Sequence, residues 1–394
     1  MRPFIPAALL LFAAMVTAQP LERATQTFTT ERVECQIQLP KGLVLERMIP
    51  DLDAPRMLHF GPGGELFMGS RHGHVYRARP PYREAESLLL LHDYPHSVVV
   101  RDDRLYIAQT SGLWRIPYAV GQERLDEDDL ERVAALPGGG GHNSRTLMLG
   151  PDRRLYVSLG ITGNCSDEYL GEGYAFDDRR GGVLVLDETR SPPRWRPFAA
   201  GLRNPVGFAW RPDTGVAYAA NNGPDHWGYR QPREVFARLD PGSYHGMPWF
   251  QTIGGKPQRD ACIASDPPRP QTDITPPVAA FDARSAPMGV AFVPEGALIP
   301  ALEGDAIVAL HGSWATQPLG GFFGDPATRR PPKLVRVRFR DGQAATTEDL
   351  LTGLQDADGH RWIRPVGVAF DPRGDLYFSS DGGLEGLFRI RLSP

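Results

Sequence analysis

Apolar residues along the chain fall in short runs separated by turns rich in Gly, Pro and Asp. One arrangement recurs six times: an apolar run ends, a polar turn follows, and a second apolar run begins. The six copies are Leu58–Phe67, Val98–Tyr106, Leu147–Tyr156, Phe208–Tyr218, Val290–Leu298 and Val368–Tyr377. Short apolar runs between turn residues are typical of β-strands, so each copy predicts two antiparallel strands.

Several copies continue into a third apolar run, at His74–Arg77, Leu113–Ile116, Gly182–Leu186, Leu334–Phe339 and Leu387–Leu392. Repeated antiparallel units of this kind are typical of a β-propeller. We therefore predict an all-β, six-bladed β-propeller with four-stranded antiparallel blades. The last copy stops after its third strand, and we expect Leu43–Ile49 to supply the fourth strand and close the ring. A two-sheet sandwich is the alternative, but it would not usually repeat one turn formula six times.

Polar residues in this topology gather at one end of the propeller. Strands of a blade alternate in direction, so the segments leading into first strands and the turns after second strands share an end. The leading segments hold His96, His142, Arg203-Asn204, Arg284 and Arg364. The turns hold Thr162–Asn164, Asn222–His226, His311–Trp314 and Asp381. We expect a pocket where these residues converge around the axis.

The chain begins with features typical of a secretory signal peptide. Met1-Arg2 precedes an apolar run from Phe4 to Met15, and small residues follow up to Ala18. We predict cleavage after Ala18, which leaves residues 19–394 as one propeller domain in the periplasm or outside the cell. The apolar run is too short to span a bilayer comfortably, and no second membrane segment is predicted.

The net charge bears on the possible binding partners, and the number of cysteines bears on the possible disulfides. The formal net charge is −4 and the basic residues are scattered, which argues against a nucleic-acid partner. Export permits a disulfide, but three cysteines, Cys35, Cys165 and Cys262, leave the connectivity open. Cys165 with Cys262 is our first choice of pair, which would leave Cys35 as a free thiol.

Stretches at the predicted pocket resemble the soluble aldose dehydrogenases that depend on pyrroloquinoline quinone (PQQ), and more closely their sorbosone dehydrogenase branch. They are Gly141–Leu147 (GHNSRTL), Gly201–Phe208 (GLRNPVGF), Asn222–Pro224 with Glu234 and Tyr244–Pro248 (NGP, E and YHGMP), His311–Trp314 (HGSW) and Arg364–Val368 (RPVGV). The positions of these stretches match those of the predicted blades, so the resemblance covers nearly the whole mature chain. The resemblance implies a PQQ- and Ca²⁺-dependent oxidoreductase that acts on a sugar, sorbosone or a related alcohol or hemiacetal.

The resemblance also implies roles for residues around the cofactor. Oxidation by hydride transfer needs a base for the hydroxyl proton, and an imidazole titrates near neutrality, which suits His142. Arg203, with Asn204, would stabilise the negative charge that develops on the quinone. PQQ carries three carboxylates, so further cations are expected around it. The remaining cofactor-binding residues implied are His96, His311 (when protonated) and Arg364.

A calcium site is implied beside the cofactor. Ca²⁺ prefers oxygen ligands, including backbone carbonyls. By resemblance, the ligands would be the carbonyls of Gly223, Pro224 and Tyr244 and the side chain of Glu234. In the family this ion also holds PQQ, so it would polarise the cofactor.

Three residues depart from the family's pattern. Thr162 lies where the glucose-oxidising branch has a glutamine, and Gly141 replaces an acidic residue beside the base. Arg284 stands where the sorbosone branch often has histidine. Each change alters the polarity of the pocket, so glucose is not carried over as the substrate.

Residues outside these motifs suggest how the pocket is bounded. We expect the insertion 251–277 to wall one side of it. Trp249 and Trp314 are candidates either for stacking on a sugar or for a place in the core or rim.

Two other functions are also compatible with the sequence. A calcium-dependent sugar lactonase would need several side-chain ligands on an axial metal. A propeller that only binds carbohydrate would not need a base such as His142. No strand-associated G-x-G-x-x-G motif supports a nicotinamide site, and export favours a quinone or a periplasmic carrier as the external electron acceptor.

Overall fold

A computed structural model describes residues 20–393 except Asp341. The predicted signal peptide, residues 1–18, lies outside the described residues. The chain begins with a hairpin of β1 (Arg23–Thr29) and β2 (Glu34–Pro40), and β3 (Leu43–Pro50) follows.

The strands that come next build three blades in chain order. The first blade consists of β4 (Pro55–Phe60), β5 (Leu66–Ser70), β6 (His74–Ala78) and β7 (Ala85–Leu90). The second consists of β8 (Ser97–Arg101), β9 (Arg104–Gln109), β10 (Gly112–Pro117) and β11 (Glu131–Ala135). The third consists of β12 (Leu147–Leu149), β13 (Leu155–Leu159), β14 (Gly182–Asp187) and β15 (Arg194–Ala200).

The fourth blade contains an excursion. Its strands β16 (Pro205–Trp210), β17 (Ala217–Asn221) and β18 (Glu234–Leu239) precede β19 (Ser243–Tyr244), which pairs in parallel with β15 of the third blade. A hairpin of β20 (Phe250–Ile253) and β21 (Lys256–Arg259) comes next, and β22 (Ala279–Phe281) then completes the blade.

Two further blades complete the ring. The fifth consists of β23 (Pro287–Phe292), β24 (Ala306–Leu310), β25 (Lys333–Arg340) and β26 (Gln343–Leu351). The sixth consists of β27 (Ile363–Phe370), β28 (Leu376–Gly383) and β29 (Gly386–Leu392), with β3 as its outer strand. The six-bladed β-propeller predicted from the repeats is therefore confirmed.

Helical structure among the described residues is limited to six short 3₁₀ turns. They lie at Pro62–Gly64, Glu127–Asp129, Phe176–Asp178, Gln271–Asp273, Pro300–Leu302 and Pro326–Thr328. Within this part of the chain, no helix has the length and apolar character needed to cross a membrane.

The ring closes as the sequence predicts. β3 pairs antiparallel with β29, in a register that sets Leu43 opposite Leu392 and Ile49 opposite Leu387. The hairpin β1–β2 covers the neighbouring edge, where Phe28 and Leu39 pack with Leu350 in one buried cluster. The hairpin therefore covers the outer strand of the fifth blade, and main-chain hydrogen bonds between β3 and β29 close the ring.

The fifth repeat departs from the predicted strand boundaries. Its second strand was expected at about Leu298, but β24 begins at Ala306. Residues 294–304 form a longer turn, closed by a 2.9 Å hydrogen bond from Val293 N to Asp305 O. Leu298 is buried in the core of this turn, so its apolar character reflects packing rather than a strand.

Glycines allow the inner strands to approach one another around the axis. A Cβ on Gly207 would lie 2.0 Å from Met288 O, and one on Gly289 would lie 2.5 Å from Val366 O. A Cβ on Gly367 would lie 2.5 Å from Arg56 O. Because the obstacles are backbone atoms, any side chain at these positions would push neighbouring blades apart.

Candidate functional site

One end of the propeller axis opens into a cleft of about 330 Å³. The segments leading into the blades, with the first residues of the inner strands, contribute Arg56, Tyr94, His142, Ser144, Arg203, Asn204, Val206, Arg284, Ala286 and Met288. The remaining lining residues are Arg71, Asn222, Gly223, Asp225, Glu234 and His311 to Trp314. The structure thus brings together, at one end, polar segments that are distant in sequence.

The charges of the cleft favour an anionic ligand. Four arginines line it, against the two carboxylates of Asp225 and Glu234. Fixed guanidinium groups in a concave, partly dehydrated site attract carboxylate or phosphate groups and bind them through paired hydrogen bonds.

His142 presents a free imidazole nitrogen in this cleft. Its Nδ1 lies 2.5 Å from the carbonyl oxygen of Ile161. A carbonyl can only accept, so Nδ1 carries the proton and Nε2 keeps its lone pair. Burial, with the nearby guanidinium of Arg203, lowers the pKa of His142 to about 4. The imidazole is therefore neutral at physiological pH and able to accept a proton.

Two buried arginines hold the backbone of His142. The carbonyl of His142 accepts hydrogen bonds from Arg145 Nη1 at 3.1 Å and from Arg180 Nη2 at 2.8 Å. Both guanidinium groups bond mainly to loop carbonyls, so they act as internal braces. A base held this way needs little reorganisation before it acts.

A steric constraint explains why the residue next to His142 is a glycine, Gly141. Gly141 has a φ of +75°, and a Cβ there would lie 1.8 Å from the carbonyl oxygen of Thr162. An acidic side chain is therefore impossible at this position. Thr162 donates its N–H to Glu168 Oε2 at 2.6 Å and its hydroxyl to the same carboxylate, and it does not line the cleft.

Arg203 and Asn204 lie together beside His142, since a Cβ on Gly160 would lie 2.5 Å from both Asn204 Oδ1 and His142 Cβ. Arg203 Nη2 donates to Asn164 Oδ1 at 2.6 Å and lies 3.6 Å from a carboxylate oxygen of Asp225. Burial lowers the pKa of Arg203, although the guanidinium remains charged. Asn204 Oδ1 is buried and has no hydrogen-bond partner. Buried acceptors are nearly always satisfied, so this oxygen indicates a missing donor from a ligand or water.

A chain of hydrogen bonds beside the cleft links the fifth, sixth and first blades. Asp381 accepts from Arg56 and, at 2.6 Å, from His311 Nε2. Arg364 Nη2 lies 2.8 Å from His311 Nδ1, and a guanidinium can only donate. His311 therefore donates through Nε2 and accepts through Nδ1, which describes a neutral ring.

The pKa shifts of His311 and Asp381 agree with these hydrogen bonds. Burial lowers the pKa of His311 to about 4, even though Asp381 acts in the opposite direction. Burial would raise the pKa of Asp381, but Arg56 and His311 hold it well below its usual range. His311 thus lines the cleft as a neutral group, and the positive charge here belongs to the arginines.

Two residues implied to bind the cofactor lie one layer back. His96 is fully buried, with the ring of Tyr94 at 5.3 Å between centroids, and Tyr94 lines the cleft instead. Arg364 contacts His311 and does not itself line the cleft.

Sequence reasoning missed Arg56, Arg71 and Tyr94. Arg56 was detectable in principle, because it stands at the start of its inner strand as Arg364 does in the sixth blade.

The expected calcium ligands come together only in part, and N–H groups already bond to three of them, Glu234, Pro224 and Tyr244. Glu234 accepts hydrogen bonds from the backbone N–H of Gly223 and, at 2.8 Å, from that of Arg284. The carbonyl of Pro224 accepts from Nη1 of Arg284. Tyr244 lies apart in β19, and its carbonyl accepts from Thr275 N at 2.7 Å. This donor-filled arrangement does not fit a calcium ion, which needs oxygens free to coordinate it.

The excursion in the fourth blade braces the cleft from behind. Cys165 and Cys262 form a disulfide that joins it to the loop after β13, and Cys35 is free. Asp260, which is buried, lies 3.0 Å from His226 Nε2 and accepts from Trp227 Nε1 at 2.8 Å. No residue of 251–277 lines the cleft, so the expectation that this insertion walls it is wrong.

The two candidate stacking tryptophans have different environments. Trp249 is fully buried in a core cluster with Phe250 and Ile263, which excludes it from contact with a sugar. Trp314 lines the cleft, is 38% exposed and stacks on Phe322 with ring centroids 4.3 Å apart.

Fold and cleft together define a class: a six-bladed β-propeller with a cationic axial cleft that holds a neutral histidine base. A family profile described as TrAA12-like matches residues 263–388. An uncharacterized protein of Borreliella burgdorferi is 21% identical over 380 residues, which cover 92% of this chain and 93% of that protein.

Solved structures place the fold more specifically. The iodide structure of Trichoderma reesei Carbohydrate-Active Enzymes Family AA12 has a TM-score of 0.76 and 19% identity, over 90% of this chain and 97% of that one. The holo form of the pyranose dehydrogenase PQQ domain from Coprinopsis cinerea has a TM-score of 0.70 and 18% identity, over 91% and 97%. The chain therefore has the fold of PQQ-type sugar oxidoreductases.

Proposed function

We propose that this protein is a PQQ-dependent oxidoreductase that oxidises a sugar at a hydroxyl or hemiacetal carbon. The observation that carries the proposal is the neutral His142, whose free Nε2 lies in the same arginine-lined cleft as Arg203. A base next to fixed positive charge suits removal of a proton from a substrate whose electrons pass to an anionic acceptor.

The residues of the cleft fit PQQ. Its carboxylates match the guanidinium groups of Arg56, Arg71 and Arg203, and Arg56 Nε is a buried donor without a partner. The unsatisfied Asn204 Oδ1 offers an acceptor to a ring N–H or a hydroxyl. A volume of about 330 Å³ is in the range of cofactor clefts. When bound, PQQ supplies a quinone that accepts a hydride from the carbon being oxidised.

The chain's own residues then have distinct tasks. His142 accepts the hydroxyl proton at Nε2, and the bond from Nδ1 to Ile161 keeps the ring in the required tautomer. Arg203 provides a positive charge that Asn164 holds in place. His311 and Arg364 position Arg56 through Asp381.

The likeness to the PQQ domain of a pyranose dehydrogenase supports a sugar as substrate. Trp314 at the rim offers an apolar face on which a pyranose ring can stack. We further propose that the mature protein acts in the periplasm or outside the cell and passes electrons to an external quinone or carrier. The composition of the first 18 residues supports export.

PQQ titration with a sugar panel tests this function. We expect stoichiometric binding to the purified protein, followed under anaerobic conditions by reduction of the bound quinone by at least one pyranose. Arg203→Gln should weaken binding at least tenfold, because a buried charged hydrogen bond is lost. Arg153→Gln, an exposed arginine in a turn at the opposite end of the propeller, is the matched control. Failure of the wild-type protein to bind PQQ under any condition would overturn the proposal.

A further inference from the structure

We propose that the guanidinium group of Arg284 takes the place of the calcium ion, so that this pocket binds PQQ without a divalent metal. The inference rests on the proposed function and deepens it, because it concerns how the same cleft holds its cofactor. It starts from the finding that two of the expected calcium ligands, Glu234 and the carbonyl of Pro224, accept hydrogen bonds from N–H donors of Arg284 and Gly223.

Arg284 binds the loop carbonyls that a metal would use. Its Nη1 donates to the carbonyl of Pro224, and its Nη2 donates to those of Gly228 at 2.5 Å and Gln231 at 2.8 Å. Nε donates a further bond to Gly228 at 3.1 Å. The side chain is 1% exposed. Oxygen atoms thus surround the buried guanidinium as they would surround a metal ion, but they are arranged to match the planar fork of its N–H donors.

Carboxylates complete the site on the side of the cleft. Glu234 accepts the backbone N–H of Arg284 at 2.8 Å, and Asp225 lies 3.4 Å from Nη1. Arg203 lies 3.6 Å from the other oxygen of Asp225, so this carboxylate lies between two guanidinium groups. The positive charge at this position is therefore permanent and is linked to the residue proposed to face the quinone.

The backbone at Arg284 is consistent with a functional constraint. Its φ is +70°, in the left-handed region that side chains other than glycine rarely adopt. Strain of this kind persists when surrounding contacts hold it, and it concentrates at ligand-binding sites. The contacts that hold this conformation are the hydrogen bonds from the guanidinium to the loop 224–231.

A bound guanidinium and a bound calcium ion exclude each other here. Both need the carbonyl of Pro224, and their like charges repel strongly at such short range in a buried site. We therefore expect no calcium binding at this position in the wild-type protein. PQQ affinity should be the same, within about twofold, in millimolar chelator and in millimolar calcium.

Removing the side chain should convert the site into a metal site. Arg284→Ala removes the guanidinium donors from the carbonyls of Pro224, Gly228 and Gln231 and from beside the carboxylate of Asp225, and leaves an oxygen set of the kind Ca²⁺ prefers. We expect this variant to lose at least tenfold in PQQ affinity in chelator and to recover it when calcium is added. Its unfolding temperature should also rise with calcium, because only the folded state binds the ion.

The matched control is Arg145→Ala. Arg145 is fully buried and also bonds to loop carbonyls, those of Thr110, Pro137, His142 and Ser144, but none of its bonds goes to a carboxylate. Its removal creates a similar cavity without acidic ligands, so the unfolding temperature of this variant should not respond to calcium.

The experiment combines calcium calorimetry on the cofactor-free protein with PQQ titrations in chelator and in calcium. Calorimetry of the wild-type protein decides the question even if Arg284→Ala fails to fold. Calcium binding that is lost in Glu234→Gln, or PQQ binding that requires calcium, would overturn the inference and leave the proposed function standing. Absence of PQQ binding in both conditions would overturn both. Unchanged PQQ affinity of Arg284→Ala in chelator would also overturn the inference.

Discussion

Replacing His142 with Gln tests the proposed base most directly. The substitution removes the free Nε2 and keeps a hydrogen-bonding side chain near Ile161. A positioned general base contributes about 10²- to 10⁴-fold in rate, which corresponds to about 3 to 5 kcal/mol of activation free energy. We expect a loss of that size in the rate at which sugar reduces the bound quinone, with PQQ affinity changed far less.

The expected pH dependence of the rate follows from the pKa of His142 in the structure. Burial and Arg203 lower the pKa of His142 to about 4 from an ordinary value of 6.5. The neutral form is the active one, so activity should be constant from about pH 8 down to about pH 5. Below about pH 4 it should fall about tenfold per pH unit, as the ring becomes protonated.

The assay is anaerobic single-turnover reduction of PQQ-loaded protein, followed by absorbance at saturating sugar. His245→Gln is the control, because burial lowers the pKa of His245 to about 4 as well, while this residue lies outside the cleft. A wild-type profile that falls with an apparent pKa near 6.5, and loses this feature in His142→Gln, would refute the burial argument. An unchanged rate in His142→Gln would refute its role as base.

Three further predictions concern stability. Gly367→Ala should lower the free energy of unfolding by about 2 to 4 kcal/mol in urea melts, because the added Cβ would lie 2.5 Å from a backbone oxygen. Gly140→Ala is the control and should change this free energy by less than about 0.5 kcal/mol, because the added Cβ would have no atom within 4 Å. Asp381→Asn removes the charge partner of the buried Arg56 and should lower the free energy of unfolding by about 3 to 5 kcal/mol, measured in the same way. His245 lowers the free energy of unfolding by up to about 1.4 kcal/mol per pH unit as pH falls from about 6.5 to 4, because the unfolded imidazole binds a proton that the buried one does not. In urea melts over that pH range, His245→Gln should reduce the slope by this amount, while His59, His142 and His311, whose pKa is also about 4, keep their own contributions.

The cleft explains why single departures from a family pattern need a structure to interpret. Gly141 is fixed by the carbonyl of Thr162, so the missing acid beside the base reflects backbone packing. Arg284 has more consequence, since it carries a full charge into the place expected for an ion. The first change leaves the proposed chemistry intact, whereas the second changes how the cofactor is held.

The sequence by itself determined the architecture. Strand period, turn composition and a sixfold repeat are local properties, so six blades were readable from residues near one another. The pairing of Leu43–Ile49 with the last blade followed from the repeat count, because the last copy lacks a fourth strand. The same repeats located the functional end of the propeller, because strand direction alternates within every blade. The boundary error at Leu298 arose where a buried turn imitated the start of a strand.

Only the tertiary structure decided which side chains face the ligand and in what charge state. Arg56 is paired with Asp381, 325 positions away, and His142 receives its tautomer from Ile161 in the next loop. Burial, which no local pattern reports, makes His142 and His311 neutral. The occupation of the expected metal ligands by Arg284 likewise depends on loops that meet only when blades four and five pack together. Pairing, protonation and ligand choice are set by the distance between groups in space, and the fold alone fixes those distances.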